Sequence, residues 1–153
     1  MTFAHALTRR EPRSPRWSRG LAAVEFVIAV PVLLLVALAV AELGRAFIQY
    51  DTLSYSVRNG VRFLSEHAIA GTTGVVDVSG AVADTQRLVV FGNVGGGGLP
   101  VLPNFKVEDV VVVNAGSNNV EVRATYEYLP MIGTTILPTV LTMRVVVTMR
   151  AIS

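Results

Sequence analysis

The chain has 153 residues, 52% hydrophobic and 16% charged, and it contains no cysteine. That is more apolar than an ordinary soluble domain, and the missing cysteines exclude disulfides, thiolate nucleophiles and cysteine metal sites. The formal net charge of +2 is unevenly spread: residues 1–20 hold five arginines against one glutamate, while residues 21–153 hold eight basic and ten acidic side chains. A basic stretch can bind nucleic acid. Placed directly before a hydrophobic run it reads instead as a cytoplasmic flank that sets membrane orientation, and no nucleic-acid partner is expected.

Residues 1–20 contain Pro12 and Pro15, several charges and little apolar periodicity. They read as an unstructured basic leader in the cytoplasm. Leu21 to Ala41 follows as 21 residues with one charge, Glu25. A helix of that length spans about 30 Å, the thickness of the bilayer core. Cleavable secretory signals have shorter apolar cores, about 7–15 residues. Pro31 frees one carbonyl within the run, which lipid-buried helices tolerate better than soluble ones. The arginines before the run predict the N-terminus inside and the C-terminus outside.

The helical pattern continues past Ala41. Leu43, Ala46, Phe47, Tyr50, Leu53, Val57, Val61, Leu64 and Ala68 recur at steps of three or four, the spacing of one helix face. Glu42, Arg45, Gln49, Asp51, Arg58, Arg62 and Glu66 fall largely off that stripe, and Gly44 and Gly60 weaken it locally. The amphipathic extension is expected over residues 42–70, followed by a β-rich periplasmic domain over 71–153.

Gly71-Thr72-Thr73-Gly74 is a breaker. Val75–Val78 reads as a short strand, Ala81–Gln86 as ambiguous with a possible helical turn, and Leu88–Phe91 as a strand or buried segment. Gly92 to Pro100 is a glycine-rich loop without the Lys-Ser/Thr or the strand–loop–helix context of a phosphate cradle. Phe105–Asn114 predicts a strand and Ala115–Asn118 a turn. Val120 to Tyr128 alternates strictly, with Val120, Val122, Ala124, Tyr126 and Tyr128 on one face and Glu121, Arg123 and Glu127 on the other. That pattern predicts an antiparallel hairpin. Met131–Pro138 is an apolar connection with a possible helical turn, and Thr139–Ile152 a last strand. Leu141, Met143, Val145, Val147, Met149 and Ala151 form one of that strand's faces. The fold class is α+β, with a long N-terminal transmembrane and amphipathic helix packed on a small antiparallel sheet that needs its apolar face.

No catalytic constellation is visible. His5 and His67 lack the spacing of a metal site, no serine sits in a Gly-x-Ser-x-Gly context, and Glu108-Asp109 point to opposite faces beside a strand. An enzyme, a cofactor and a metal are therefore not expected. Glu25 stands apart, because a carboxylate in a membrane span is costly and usually has a partner or a function. It either lies near enough to the interface to be solvated and has no role, or it serves a partner. A cut between Gly20 and Leu21 would create such a partner, a new α-ammonium one helical turn away.

The stretch Arg19-Gly20-Leu21-Ala22-Ala23-Val24-Glu25-Phe26, through Pro31 to Glu42-Leu43-Gly44-Arg45-Ala46-Phe47, resembles the TadE-like pseudopilin family of the Flp/Tad (type IVc) pilus system. The resemblance continues through Val57-Arg58-Asn59-Gly60-Val61-Arg62. It recurs weakly at Leu88–Asn93 and at Val122–Tyr128, covering most of residues 19–130. It implies a pilin-like fold and a prepilin peptidase that cuts after Gly20. It implies a role for Glu25 in helix assembly at the bacterial inner membrane. It also implies partnership with other pilins, pseudopilins and the Tad assembly machinery, and hence a minor subunit that supports adhesion. The alternatives from other classes are an uncleaved single-pass anchor presenting a β-rich binding module and an envelope-anchored accessory to an enzyme.

Overall fold

The computed structural model describes residues 17–69, 75–131 and 140–151. Residues 1–16 of the leader, the Gly71–Gly74 breaker, the connection after Met131 up to Thr139, and Ile152 lie outside the described residues. The first helix, α1, runs from Trp17 to His67, 51 residues with Pro31 inside it. It begins before the expected Leu21, so Gly20 and Leu21 lie within the helix rather than at its edge. The reason is local: a single glycine weakens a helix by roughly 1 kcal/mol but does not stop it. The chain divides into two compact units between Ala39 and Val40.

The described part of the first unit is the N-terminal portion of α1. It is apolar all round, and Leu21, Phe26, Ile28 and Leu33 are all largely exposed. A helix that is apolar on every face needs a lipid or protein environment. The helical stretch Gly20–His67 is long and apolar enough to cross a membrane.

The second unit holds the remainder of α1, a second helix α2 (Val82–Phe91) and three strands: β1 (Val110–Gly116), β2 (Asn119–Tyr128) and β3 (Leu141–Arg150). The strands form an antiparallel sheet in the order β1-β2-β3. The core joins Leu53, Val57, Val61, Leu64 and Ala68 of the α1 stripe to Val89 and Val90 of α2. It continues into Val120, Val122, Ala124, Tyr126 and Tyr128 of β2, and Met143 and Val145 of β3. Each fully buried Leu or Val side chain contributes on the order of 1.5–3 kcal/mol. The alternation expected for β2 is therefore the burial pattern observed. The start of the stripe behaves differently, for Leu43, Phe47 and Tyr50 are exposed.

The hairpin between β1 and β2 turns at Ser117 and Asn118, with φ of 51° and 62°. Two successive positive φ values are those of a type I′ turn, whose twist matches the flanking strands. Three local expectations are corrected. The helical reading of Ala81–Gln86 and the buried reading of Leu88–Phe91 hold, the strand reading of Leu88–Phe91 does not: both lie largely in one helix, α2, which ends on Gly92 in the left-handed region at φ 72°. Thr85 and Val89, one turn apart, are both buried, and that helical face outweighs the strand preference of Leu-Val-Val-Phe. Val75–Val78 is not a named strand; among the described residues its β pairing is the isolated bridge between Val76 and Ile69, and Val76 and Val78 pack against the core. β1 starts at Val110 rather than Phe105, because Val107–Asp109 form a 3-10 turn closed by the Lys106 N–H donating to Asp109 Oδ2 at 2.9 Å.

Candidate functional site

The residues singled out in the sequence lie on the first unit. Gly20 has ordinary helical backbone, and a Cβ added there would meet nothing within 4 Å. Neither crowding nor backbone geometry therefore requires glycine, although it makes the helix less stable than alanine would. Leu21 is exposed. Glu25 follows it by four residues, so the two share a face with an axial rise of about 6 Å between them. The surface beside Glu25 is apolar, a shallow depression lined by Ile28, Ala29, Val32 and Leu33. Among the described residues no basic side chain forms an ion pair with Glu25.

A second cluster lies in the other unit, and sequence reasoning missed it. Glu42, Arg45 and Gln49 fall at i, i+3 and i+7 on α1, one face of the helix. The Tyr128 hydroxyl donates to the Glu42 carboxylate, which also accepts the Met131 backbone N–H at 3.0 Å. About two turns further on, the Tyr126 hydroxyl donates to Gln49 Oε1 at 2.9 Å. Arg45 places its charge near both phenols; its Nη1 is buried with no hydrogen-bond partner among the described residues. Burial, then the hydrogen bond and the charge of Glu42, push the Tyr128 phenol up to about 12. Burial also raises Tyr126, against a smaller opposing effect of Arg45. The signal was present in the residue types: two tyrosines on a buried strand face need partners for their hydroxyls, which phenylalanines would not. The cluster is a polar clasp that fixes the end of β2 to α1.

Gly60 has a purpose that spacing did not reveal. A Cβ at this position would overlap Val89 Cγ2 of α2 and would touch Thr85 Cγ2 at 3.6 Å. The glycine lets the two helices approach closely. Among the described residues, no group of three or more His, Cys, Asp or Glu side chains is arranged to hold a metal ion.

The helical part of this arrangement has a family counterpart. Residues 20–62 match the model of the TadE-like protein family. The match opens at Gly20 and takes in Leu21, Glu25, the helical half of the clasp and Gly60. It ends at Arg62, so the weaker likenesses at Leu88–Asn93 and Val122–Tyr128 lie outside it. Comparisons with curated proteins and with solved structures found no match. The TadE-like segment thus contains the apolar run Leu21–Ala41 and the first part of the buried stripe of α1, whose Leu64 and Ala68 lie beyond it, as do the tyrosines of the clasp.

Proposed function

We propose that the chain is a minor pseudopilin that assists assembly of a Flp/Tad type IVc pilus and so supports surface adhesion. A prepilin peptidase at the inner membrane cuts between Gly20 and Leu21. The new Leu21 α-ammonium and the Glu25 carboxylate then neutralise each other, within one chain or between neighbouring subunits, as the helices pack against other pilins and the Tad machinery. In an apolar environment an unpaired charge is costly, so a pair formed between subunits favours assembly over isolated insertion, whereas a pair within one chain lowers the cost of insertion alone. The N-terminus remains cytoplasmic before cleavage and the β-rich unit is periplasmic, as the arginine-rich flank favours.

The observation that carries this reading is the coincidence at Gly20. The TadE-like match begins there, and the fold itself has no use for a glycine at that position. A glycine does suit a protease that must approach the backbone closely. The test is co-expression with a prepilin peptidase and mass spectrometry of the wild type and Gly20→Ala. The expected result is removal of the first twenty residues in the wild type and retention in Gly20→Ala; equal processing of both chains contradicts the assignment of Gly20.

The uncleaved anchor has one observation in its favour. α1 is continuous from Trp17 through Gly20 into the apolar run, whereas a peptidase needs the scissile backbone freed from helical hydrogen bonds. Retention of the leader in the wild type with active peptidase present selects that reading.

A further inference from the structure

The two ends of the sheet differ in chemistry. At one end β1 and β2 meet through Gly116, Ser117, Asn118 and Asn119, and Arg150 of β3 pairs with Asn119. At the other end the strands give way to Leu129, Met131, Val140 and Leu141, which leave 49%, 76%, 46% and 51% of their surface exposed. This apolar end is the one the clasp holds. Glu42 accepts hydrogen bonds from the Tyr128 hydroxyl and the Met131 N–H, and Leu141 is the cross-strand neighbour of Tyr128. Glu42 is also the residue that directly follows the apolar run Leu21–Ala41. The exposed apolar end of the sheet is therefore tied to the chain position where the membrane-length run finishes. The sequence from Leu129 to Leu141 contains no charged residue. The charge that touches this end is the Glu42 carboxylate at the Met131 N–H, and to one side Lys106, Asp109 and Glu127 line a pocket beside Leu129. At a bilayer surface apolar side chains enter the acyl boundary while neighbouring charged groups stay among the headgroups, the same division an interfacial amphipathic helix makes between its faces.

We propose that this end of the domain rests in the bilayer interface, with Leu129, Met131, Val140 and Leu141 entering the boundary between lipid headgroups and acyl chains. The partner is the lipid surface itself, because covalent continuity with Leu21–Ala41 brings that surface to Glu42. The inference rests on the reading of that run as a membrane span and is independent of cleavage or pilus assembly.

The test uses the full chain in phosphatidylcholine vesicles, with Trp17→Phe removing the one native tryptophan. Single tryptophans are placed by Met131→Trp, Leu141→Trp and, as a control, Val146→Trp. Val146 is exposed on the same strand, about 17 Å further along it at roughly 3.4 Å per residue. Vesicle flotation and circular dichroism accompany each variant. The expected result is a several-fold loss of Met131→Trp and Leu141→Trp fluorescence with brominated-acyl lipid, little loss at Val146→Trp, and the reverse order with aqueous iodide. Chains that float with the vesicles while all three probes respond only to iodide overturn this inference and leave the span intact. Blue-shifted Met131→Trp and Leu141→Trp emission that neither quencher reaches also overturns it, in favour of contact with a second copy of this chain. Chains that do not float overturn the span and this inference together.

Discussion

The close approach of α2 to Gly60 allows a size-swap experiment. In Gly60→Ala the new Cβ overlaps Val89 Cγ2, and Val89 and Thr85 are fully buried, so neither can swing into solvent. Overpacking costs about 1–3 kcal/mol, and alanine returns roughly 1 kcal/mol of helix propensity. The net expectation is a loss of up to about 2 kcal/mol, which lowers Tm by about 2–4 °C per kcal/mol for a chain of this size. Gly44 is the control: a Cβ there meets nothing within 4 Å, so Gly44→Ala is expected to stabilise by up to about 1 kcal/mol. Val89→Ala alone opens a void and costs about 1–3 kcal/mol. In the double variant Gly60→Ala/Val89→Ala the new methyl occupies part of that void. The double variant therefore loses less than the two single losses together, by about 1–2 kcal/mol. The assay is thermal unfolding of the detergent-solubilised chain followed by circular dichroism. A Tm that rises in Gly60→Ala as it does in Gly44→Ala, or strictly additive losses in the double variant, refutes the packing argument.

Three other predictions concern the clasp and Glu25. Tyr128→Phe removes a hydrogen bond to a carboxylate and is expected to cost about 1.5–3 kcal/mol, whereas Tyr126→Phe removes one to a neutral amide and costs about 0.5–1.5 kcal/mol. A Tm order with Tyr126→Phe the lower contradicts the assignment of Glu42 as the stronger acceptor. The same phenol gives a pH signature, because the fold raises Tyr128 from 10 to about 12 and so favours its protonated form. The stability it contributes is complete below pH 10 and is lost as pH rises from 10 through about 12. Tyr128→Phe lacks that part of the alkaline decline, and identical Tm-against-pH profiles for the two chains in this range exclude the linkage. Glu25→Ala is expected to leave processing intact and to reduce surface pili several-fold; unchanged piliation removes Glu25 from assembly.

Much of this fold is legible in the residues because the period is clear where burial is one-sided. Leu53, Val57, Val61, Leu64 and Ala68 announce the buried face of α1, and the alternation from Val120 to Tyr128 announces the inward face of β2. α2 is harder, since Leu-Val-Val-Phe favours a strand by composition. Its helix is decided by Val89 meeting Gly60 and by a left-handed stop at Gly92. Only that stop was visible locally, as a glycine after an apolar run. Glu42 and Tyr128 are 86 residues apart, so no local pattern joins them. Gly20, Leu21 and Glu25 are recognisable by spacing, but their exposure on α1 adds a separate fact: packing within the chain does not account for the glycine.

On the proposed reading, the apolar run becomes the N-terminus of a mature subunit. The most direct test of that reading is the intact mass and N-terminal sequence of the wild-type protein recovered from membranes with and without the peptidase. A chain beginning at Leu21 is expected when the peptidase is present, and one that keeps residues 1–20 when it is absent. A chain that keeps residues 1–20 in the presence of active peptidase contradicts that reading.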